Sequence, residues 1–123
     1  MLCMAQYAEN DMTLGAERLN KLAMEMRRGM LVLAVLRALD QPHYGYSLRK
    51  RLATIGLEID EGTLYPLLRR LEDQGLLSST WQVHDGRKRR FYVIAEDGRT
   101  ALELMTAEWR KLNRTIDKLG ETW

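Results

Sequence analysis

Between residues 60 and 95 the spacing of apolar residues changes period once, and that change limits the folds open to the chain. Leu64, Leu67, Leu68 and Leu71 recur at i, i+3, i+4 and i+7, which is one buried face of a helix. Asp60 stands where it can cap the start of that helix, and Gly75 stands where a C-terminal glycine ends one. From Ser78 to Val83 and from Arg89 to Ile94 the residues are β-branched or aromatic and alternate, with the turn signal His84-Asp85-Gly86 between the two runs. The segment reads as a helix leading into a β-hairpin whose tip carries four adjacent bases, Arg87, Lys88, Arg89 and Arg90. Trp81 alternates with Val83 and is expected to anchor the core of the hairpin.

Two helices are expected before this unit and one after it. Leu19, Leu22, Met26 and Met30 are spaced by three and four, and Met30 to Leu36 is apolar on every side, so the end of this first helix needs covering all round. Pro42 disfavours helical geometry at Gln41, which places the stop near Asp40. A short helix then runs through Ser47, Leu48, Leu52 and Ile55 to about Gly56. From about Glu96, Leu102, Met105, Trp109, Leu112, Ile116 and Leu119 form an a/d seam that calls for a second helix against it. Residues 1–12 show no sustained period.

The chain has 123 residues, 46% of them hydrophobic, which suits one small domain. Three helices followed by a basic hairpin is the order of a winged helix-turn-helix, an α+β class that is mostly α, in which the third helix enters the major groove and the wing follows the backbone or minor groove. The outward face of the third helix offers Gly62, Thr63, Tyr65, Pro66, Arg69 and Arg70; Pro66 is tolerated if it lies in about the first turn. The net charge of +2 is too small to argue for nucleic acid by itself, so the argument rests on where the charges lie. Four adjacent like charges on the wing repel one another and gain most when phosphates neutralise them.

The stretch Glu61-Gly62-Thr63-Leu64-Tyr65-Pro66-Leu67-Leu68-Arg69-Arg70-Leu71-Glu72 resembles the recognition helix of the PadR family. Tyr44-Gly45-Tyr46, Gly75-Leu76-Leu77 and Arg89-Arg90-Phe91-Tyr92 match it as well, and the resemblance runs from about Arg28 to Leu119. The short C-terminal region is similar to the LmrR-like subgroup. The resemblance implies a homodimeric transcriptional repressor on a pseudo-palindromic operator in double-stranded DNA. Its DNA-contacting residues would be Tyr44, Lys50, Gly62, Thr63, Tyr65, Pro66, Arg69, Arg70, Arg87, Lys88 and Arg89. The domain division is an extension over 1–22, a winged helix over 23–95 and a dimerisation helix over 96–123.

Met26, Met30, Leu102, Met105, Trp109, Leu112, Ile116 and Leu119 are the expected dimer interface. The subgroup resemblance makes Trp109, with Met26 and Met30, a candidate platform for a planar aromatic small-molecule effector; the competing reading is a seam packed without a cavity. Two positions depart from the family pattern. Asp60 replaces a common serine and brings a carboxylate towards DNA, and Ala95 replaces a common threonine, which removes a cap worth about 1 kcal/mol and predicts a frayed, later start for the last helix.

Catalysis finds little support. His43 and His84 are isolated, Cys3 stands near the terminus, and no phosphate-cradling glycine motif is present, so neither an enzyme nor a cofactor or metal site is expected. The lone cysteine, the absence of an 18-residue apolar run and the lack of a leader suggest a cytoplasmic protein without a membrane partner. The competing function class is a small-molecule-binding or protein-interaction dimer on the same fold without specific DNA binding.

Overall fold

The computed structural model describes residues 15–121; the readings for Cys3 and for residues 1–12 lie outside them. Four helices and one hairpin follow in the order α1 (Ala16–Ala38), α2 (Gly45–Thr54), α3 (Glu61–Asp73), β1 (Leu77–His84), β2 (Arg87–Ile94) and α4 (Glu96–Glu121). The fold is α+β and mostly helical, as the order of periods implied. No helix among the described residues is long and apolar enough to cross a membrane.

The leucine face of α3 is the middle of the core. Leu64, Leu67, Leu68 and Leu71 are buried together with Val35 and Leu36 of α1, Leu39 just beyond it, Leu48 and Leu52 of α2, and Leu77, Tyr92 and Ile94 of the hairpin. Among the described residues no polar or charged side chain is fully buried. In the apolar run of α1, Leu31, Val35 and Leu36 are buried, whereas Met30, Val32, Leu33 and Ala34 are only half-covered by their own chain.

Helix ends follow local chemistry. At the C-terminus of α3 the Leu76 N–H donates to the Leu71 carbonyl (2.9 Å) and the Gly75 N–H to Glu72 (2.9 Å), a Schellman closure that requires the left-handed φ of +78° at Gly75. The same arrangement closes α2 at Gly56. Asp60 occupies the N-cap position of α3 with extended backbone, but its side chain makes no capping hydrogen bond; its carbonyl accepts from Thr63 and Leu64 instead. Pro66 is the sixth residue of α3, not in its first turn. Lacking an N–H, it leaves the Gly62 carbonyl without its helical donor, on the exposed side of the helix.

The hairpin is longer than the alternation suggested. Its loop is only Asp85-Gly86, with φ of +51° and +75°, and the pairing runs from Leu77↔Ile94 to His84↔Arg87. Arg87 and Lys88 therefore belong to β2 and not to a loose tip. A single bridge at His43 adds a partner on the other side of β2: the His43 N–H donates to the Tyr92 carbonyl (3.0 Å) and the Tyr92 N–H to His43 (2.8 Å).

α4 opens at Glu96 despite the missing threonine cap, because the Ala95 carbonyl already accepts the Arg99 N–H (3.0 Å) and the Ala95 N–H donates to Leu76 (2.9 Å). Tertiary anchoring replaces the local cap. Gly98, in the first turn, is pressed so closely on the Leu76 carbonyl that a Cβ there would overlap it and the Ile94 side chain. Gly98→Ala is expected to push α4 from the α3–β1 turn and to destabilise the chain by about 1–3 kcal/mol, read as a lower urea midpoint. An unchanged midpoint would contradict this close packing.

Candidate nucleic-acid interface

With its leucines in the core, α3 turns Gly62, Thr63, Pro66, Arg69 and Arg70 outward, all exposed. Tyr65 is different. It is half-buried at the junction with α2, where its ring lies so close to Gly45 that a Cβ at 45 would overlap it. The glycine of Tyr44-Gly45-Tyr46 thus makes room for the tyrosine of the recognition helix.

Tyr44, at the N-cap of α2, is the meeting point of helix and wing. Phe91 meets it edge-on (centroids 5.3 Å), His84 is tilted against it (5.5 Å), and the Arg89 guanidinium stacks over it at 4.5 Å. Arg89 Nε is buried there without a hydrogen-bond partner among the described residues. Arg89 is accordingly part of the packing between wing and α2, and only its outer nitrogens remain to meet a ligand. Lys50 is exposed, with Nζ 5.5 Å from the Tyr46 ring centre, beside an open hollow of about 530 Å³ that Arg49 and Asp60 also line. Arg49 spans α2 and the turn before α3, bonding the Ile59 carbonyl (3.1 Å) and Glu61 (3.0 Å).

One cluster was not anticipated. Arg90 Nη2 donates to Glu72 Oε1 at 2.6 Å, Arg90 Nε donates to Ser79 Oγ at 3.0 Å, and the Ser79 hydroxyl donates to the other Glu72 oxygen. Glu72 is 23% exposed and Arg90 37%, so this ion pair is better shielded than one on an open surface and ties the end of α3 to both strands of the wing. Of the four wing bases, Arg90 is thereby committed to position and Arg89 partly so, while Arg87 and Lys88 are exposed. Strand parity carried the signal, since Arg90 shares a face with Tyr92, which seals the core.

Trp81 corrects the sequence reading: it is exposed, not a core anchor, because the body of the domain covers only the base of the hairpin. It stands on the wall of a second open cleft of about 310 Å³, between α3, the start of α2 and the wing. Tyr44, Tyr65, Arg69, Lys88 and Arg89 line that cleft as well, whereas Thr63, Pro66, Arg70 and Arg87 lie outside it. The expected dimer residues fall into two sets. Met30, Leu102 and Met105 are half-buried, the latter two against the core, while Met26, Trp109, Leu112, Ile116 and Leu119 are exposed. Among the described residues no group of His, Cys, Asp and Glu is placed to hold a metal ion.

The sequence model of the transcriptional regulator PadR-like family matches residues 32–104, more than half of the chain and the whole of the helix–wing unit just described. The chain belongs to that family. A transcriptional regulator of Mycobacterium tuberculosis is 43% identical over 79 residues, covering 63% of this chain and 74% of that one. The crystal structure of a PadR family transcriptional regulator from Eggerthella lenta superposes with a TM-score of 0.83 at 42% identity, over 87% of this chain and 96% of that one. A PadR-like transcriptional regulator from Bacillus cereus is similar with a TM-score of 0.69 at 31% identity, over 77% and 95%. This PadR-like chain is thus a transcriptional regulator of winged-helix architecture.

His43 couples the wing to α2 through its backbone bridge, and its ring lies between Ser47 Oγ (3.0 Å) and the Arg51 guanidinium (3.4 Å). Burial lowers its pKa below the ordinary imidazole value; the neighbouring Arg51 lowers it further, and Asp40 partly opposes this. The folded chain holds that proton more weakly than the unfolded chain does. Stability is therefore complete above the unfolded pKa of about 6.5 and is lost as the pH falls through the folded-state value. The urea midpoint is expected to decline as the pH falls below about 6.5 and on through the lower folded-state pKa, and His43→Gln to flatten that decline. Parallel declines in both proteins would place the pH dependence elsewhere.

Proposed function

We propose that this regulator is a repressor that binds a pseudo-palindromic operator as a homodimer, with α3 in the major groove and the wing on the adjacent backbone or minor groove. The observation that carries the DNA reading is the cleft between α3 and the wing, whose lining among the described residues includes Arg69, Lys88 and Arg89 beside the Glu72-paired Arg90, and no carboxylate. A surface with that balance on a protein of net charge +2 is a local concentration of positive charge, suited to phosphates. Gly62, Thr63, Tyr65, Pro66 and Arg70 on the outer face of α3 are the proposed base and backbone contacts, Tyr44 and Lys50 flank them from α2, and Arg87 extends the charge along the wing.

The dimer reading rests on α4. From Ala107 to Gly120 every side chain is exposed, Trp109, Leu112 and Ile116 among them, although their spacing makes an apolar stripe. A 26-residue helix whose second half stands clear of its own core is stabilised by packing that stripe on another helix. In the proposed division, residues 23–95 bind DNA and 96–123 pair the chains, which sets the two recognition helices one helical turn of DNA apart.

Two measurements test these readings. In titrations of DNA from upstream of the protein's own gene, Arg87→Glu and Lys88→Glu should weaken binding to all sequences and lower the salt slope by about one unit for each phosphate no longer neutralised. Thr63→Ala and Tyr65→Ala should instead weaken the operator more than random DNA. Operator affinity untouched by both classes would favour a dimer of the same fold that does not bind DNA specifically. In sedimentation, the wild type should be a dimer at micromolar concentration and Leu112→Asp a monomer or unfolded, because a carboxylate in the stripe would be buried without a partner. A monomeric wild type would remove the dimer.

A further inference from the structure

The pairing register places Leu77, Ser79, Trp81 and Val83 of β1 on one face of the hairpin with Ile94, Tyr92, Arg90 and Lys88 of β2. At the base this face closes the core through Leu77, Tyr92 and Ile94. Farther out nothing in the described chain covers it, and Trp81 is 60% exposed and Val83 76%. An indole left largely in water contributes little to the stability of a two-stranded wing. Its immediate surroundings nevertheless fix its position. Arg90, held by Glu72 and Ser79, lies 5.8 Å from the Trp81 ring centre, so the ion pair that anchors the wing also braces the indole.

What the indole faces is specific in charge. Trp81 lines the 310 Å³ cleft opposite Tyr65 and Arg69 of α3, with Lys88 beside it on the wing. Among the described residues Arg69 and Lys88 form no ion pair, unlike Arg90. The cleft therefore combines an exposed flat apolar surface with uncommitted cations on either side and, among the described residues, no lining carboxylate. Its occupant must alternate negative charge with apolar surface. A DNA strand does so, as phosphate and deoxyribose. In a duplex the base faces are occupied by stacking, so an indole that approaches without unpairing the DNA stacks on no base, and the apolar surface that lies between neighbouring phosphates is the deoxyribose.

We infer that one strand of the DNA backbone runs through this cleft, with Trp81 packed on a deoxyribose and Arg69 and Lys88 on the neighbouring phosphates. The inference rests on the DNA-binding reading above and adds to it an apolar contact that carries neither sequence information nor charge. Trp81 is then distinguishable both from the cations of the interface and from the residues that read bases. Removing it weakens binding to all sequences alike and leaves the salt slope where it was, whereas removing Lys88 lowers the slope.

The test uses the full chain labelled with 5-fluorotryptophan, whose Trp81 resonance is the one missing from Trp81→Phe. Adding duplex DNA should shift that resonance. Trp81→Ala should lose about tenfold in affinity for operator and random duplex alike, as expected from returning part of an indole face to water, with an unchanged salt slope. Because Trp81 is outside the core, its urea midpoint should stay near that of the wild type; if the variant fails to fold, the resonance in the wild type still decides. Salt-dependent DNA binding with an unmoved Trp81 resonance would overturn the role of Trp81 and leave the DNA reading standing. A loss confined to the operator would make Trp81 a base reader and overturn the backbone assignment. Absence of salt-dependent binding to any duplex would overturn both.

Discussion

β2 is held from both sides. On one side it pairs with β1 along its length; on the other, Tyr92 exchanges two backbone hydrogen bonds with His43, and the Ile94 N–H donates to the Leu39 carbonyl (2.8 Å). These bonds fix the second strand of the wing to the link between α1 and α2, and the burial of Tyr92 and Ile94 makes the attachment apolar as well as hydrogen-bonded. The burial shows in the chemistry of Tyr92. Loss of water pushes its phenol pKa up, Arg90 opposes this, Glu72 adds to it and Arg69 opposes it. Everything the wing presents depends on this anchored base, because a lone two-stranded hairpin is marginal in water.

From that base outward, neighbouring residues of one type acquire different tasks. Arg87, Lys88, Arg89 and Arg90 look equivalent in sequence, and the pleat separates them. Arg90 points to the face that carries Tyr92 and reaches Glu72, Arg89 points to the other face and stacks on Tyr44, and the first two extend past the body of the domain. Charge in a basic run is therefore not one property. Half of it serves internally to align wing with helices, and the exposed remainder sets the field that a polyanion meets.

The sequence made the order and type of the elements legible because each has a strong period and a clear stop. Leu64 to Leu71 repeats on one helical face, Gly75 takes the left-handed turn, and Asp85-Gly86 forms the two-residue hairpin loop. What escaped was anything settled by how far the body of the domain extends. Alternation shows that Trp81 shares a face with Leu77 but not that the core ends before it. Asp60 takes the capping position, yet whether its carboxylate turns back to the helix depends on side-chain geometry that the residue type leaves open. Ala95 predicted a frayed start for α4, and the tertiary bond from its N–H to Leu76 outweighed the absent local cap. The Glu72–Ser79–Arg90 cluster joins residues 7 and 18 positions from Glu72, a coincidence of helix end and strand register that no local pattern announces.

Leu76 connects these observations to the assembly. Its N–H closes the end of α3, its carbonyl accepts the N–H of Ala95, and the same carbonyl rests against Gly98 in the first turn of α4. A single residue between α3 and β1 thus sets the start of α4 relative to the recognition helix, with no flexible linker between them. In the proposed dimer, the angle at which two copies of α4 pack would pass directly to the separation of the two α3 helices. A rotation of that pairing could not be absorbed near Leu76 without opening backbone hydrogen bonds or overlapping Gly98, so it would move the DNA-facing surfaces as rigid units. Spacing of the half-sites and packing of the C-terminal helices are then one geometric variable, and a ligand that altered the second would alter the first.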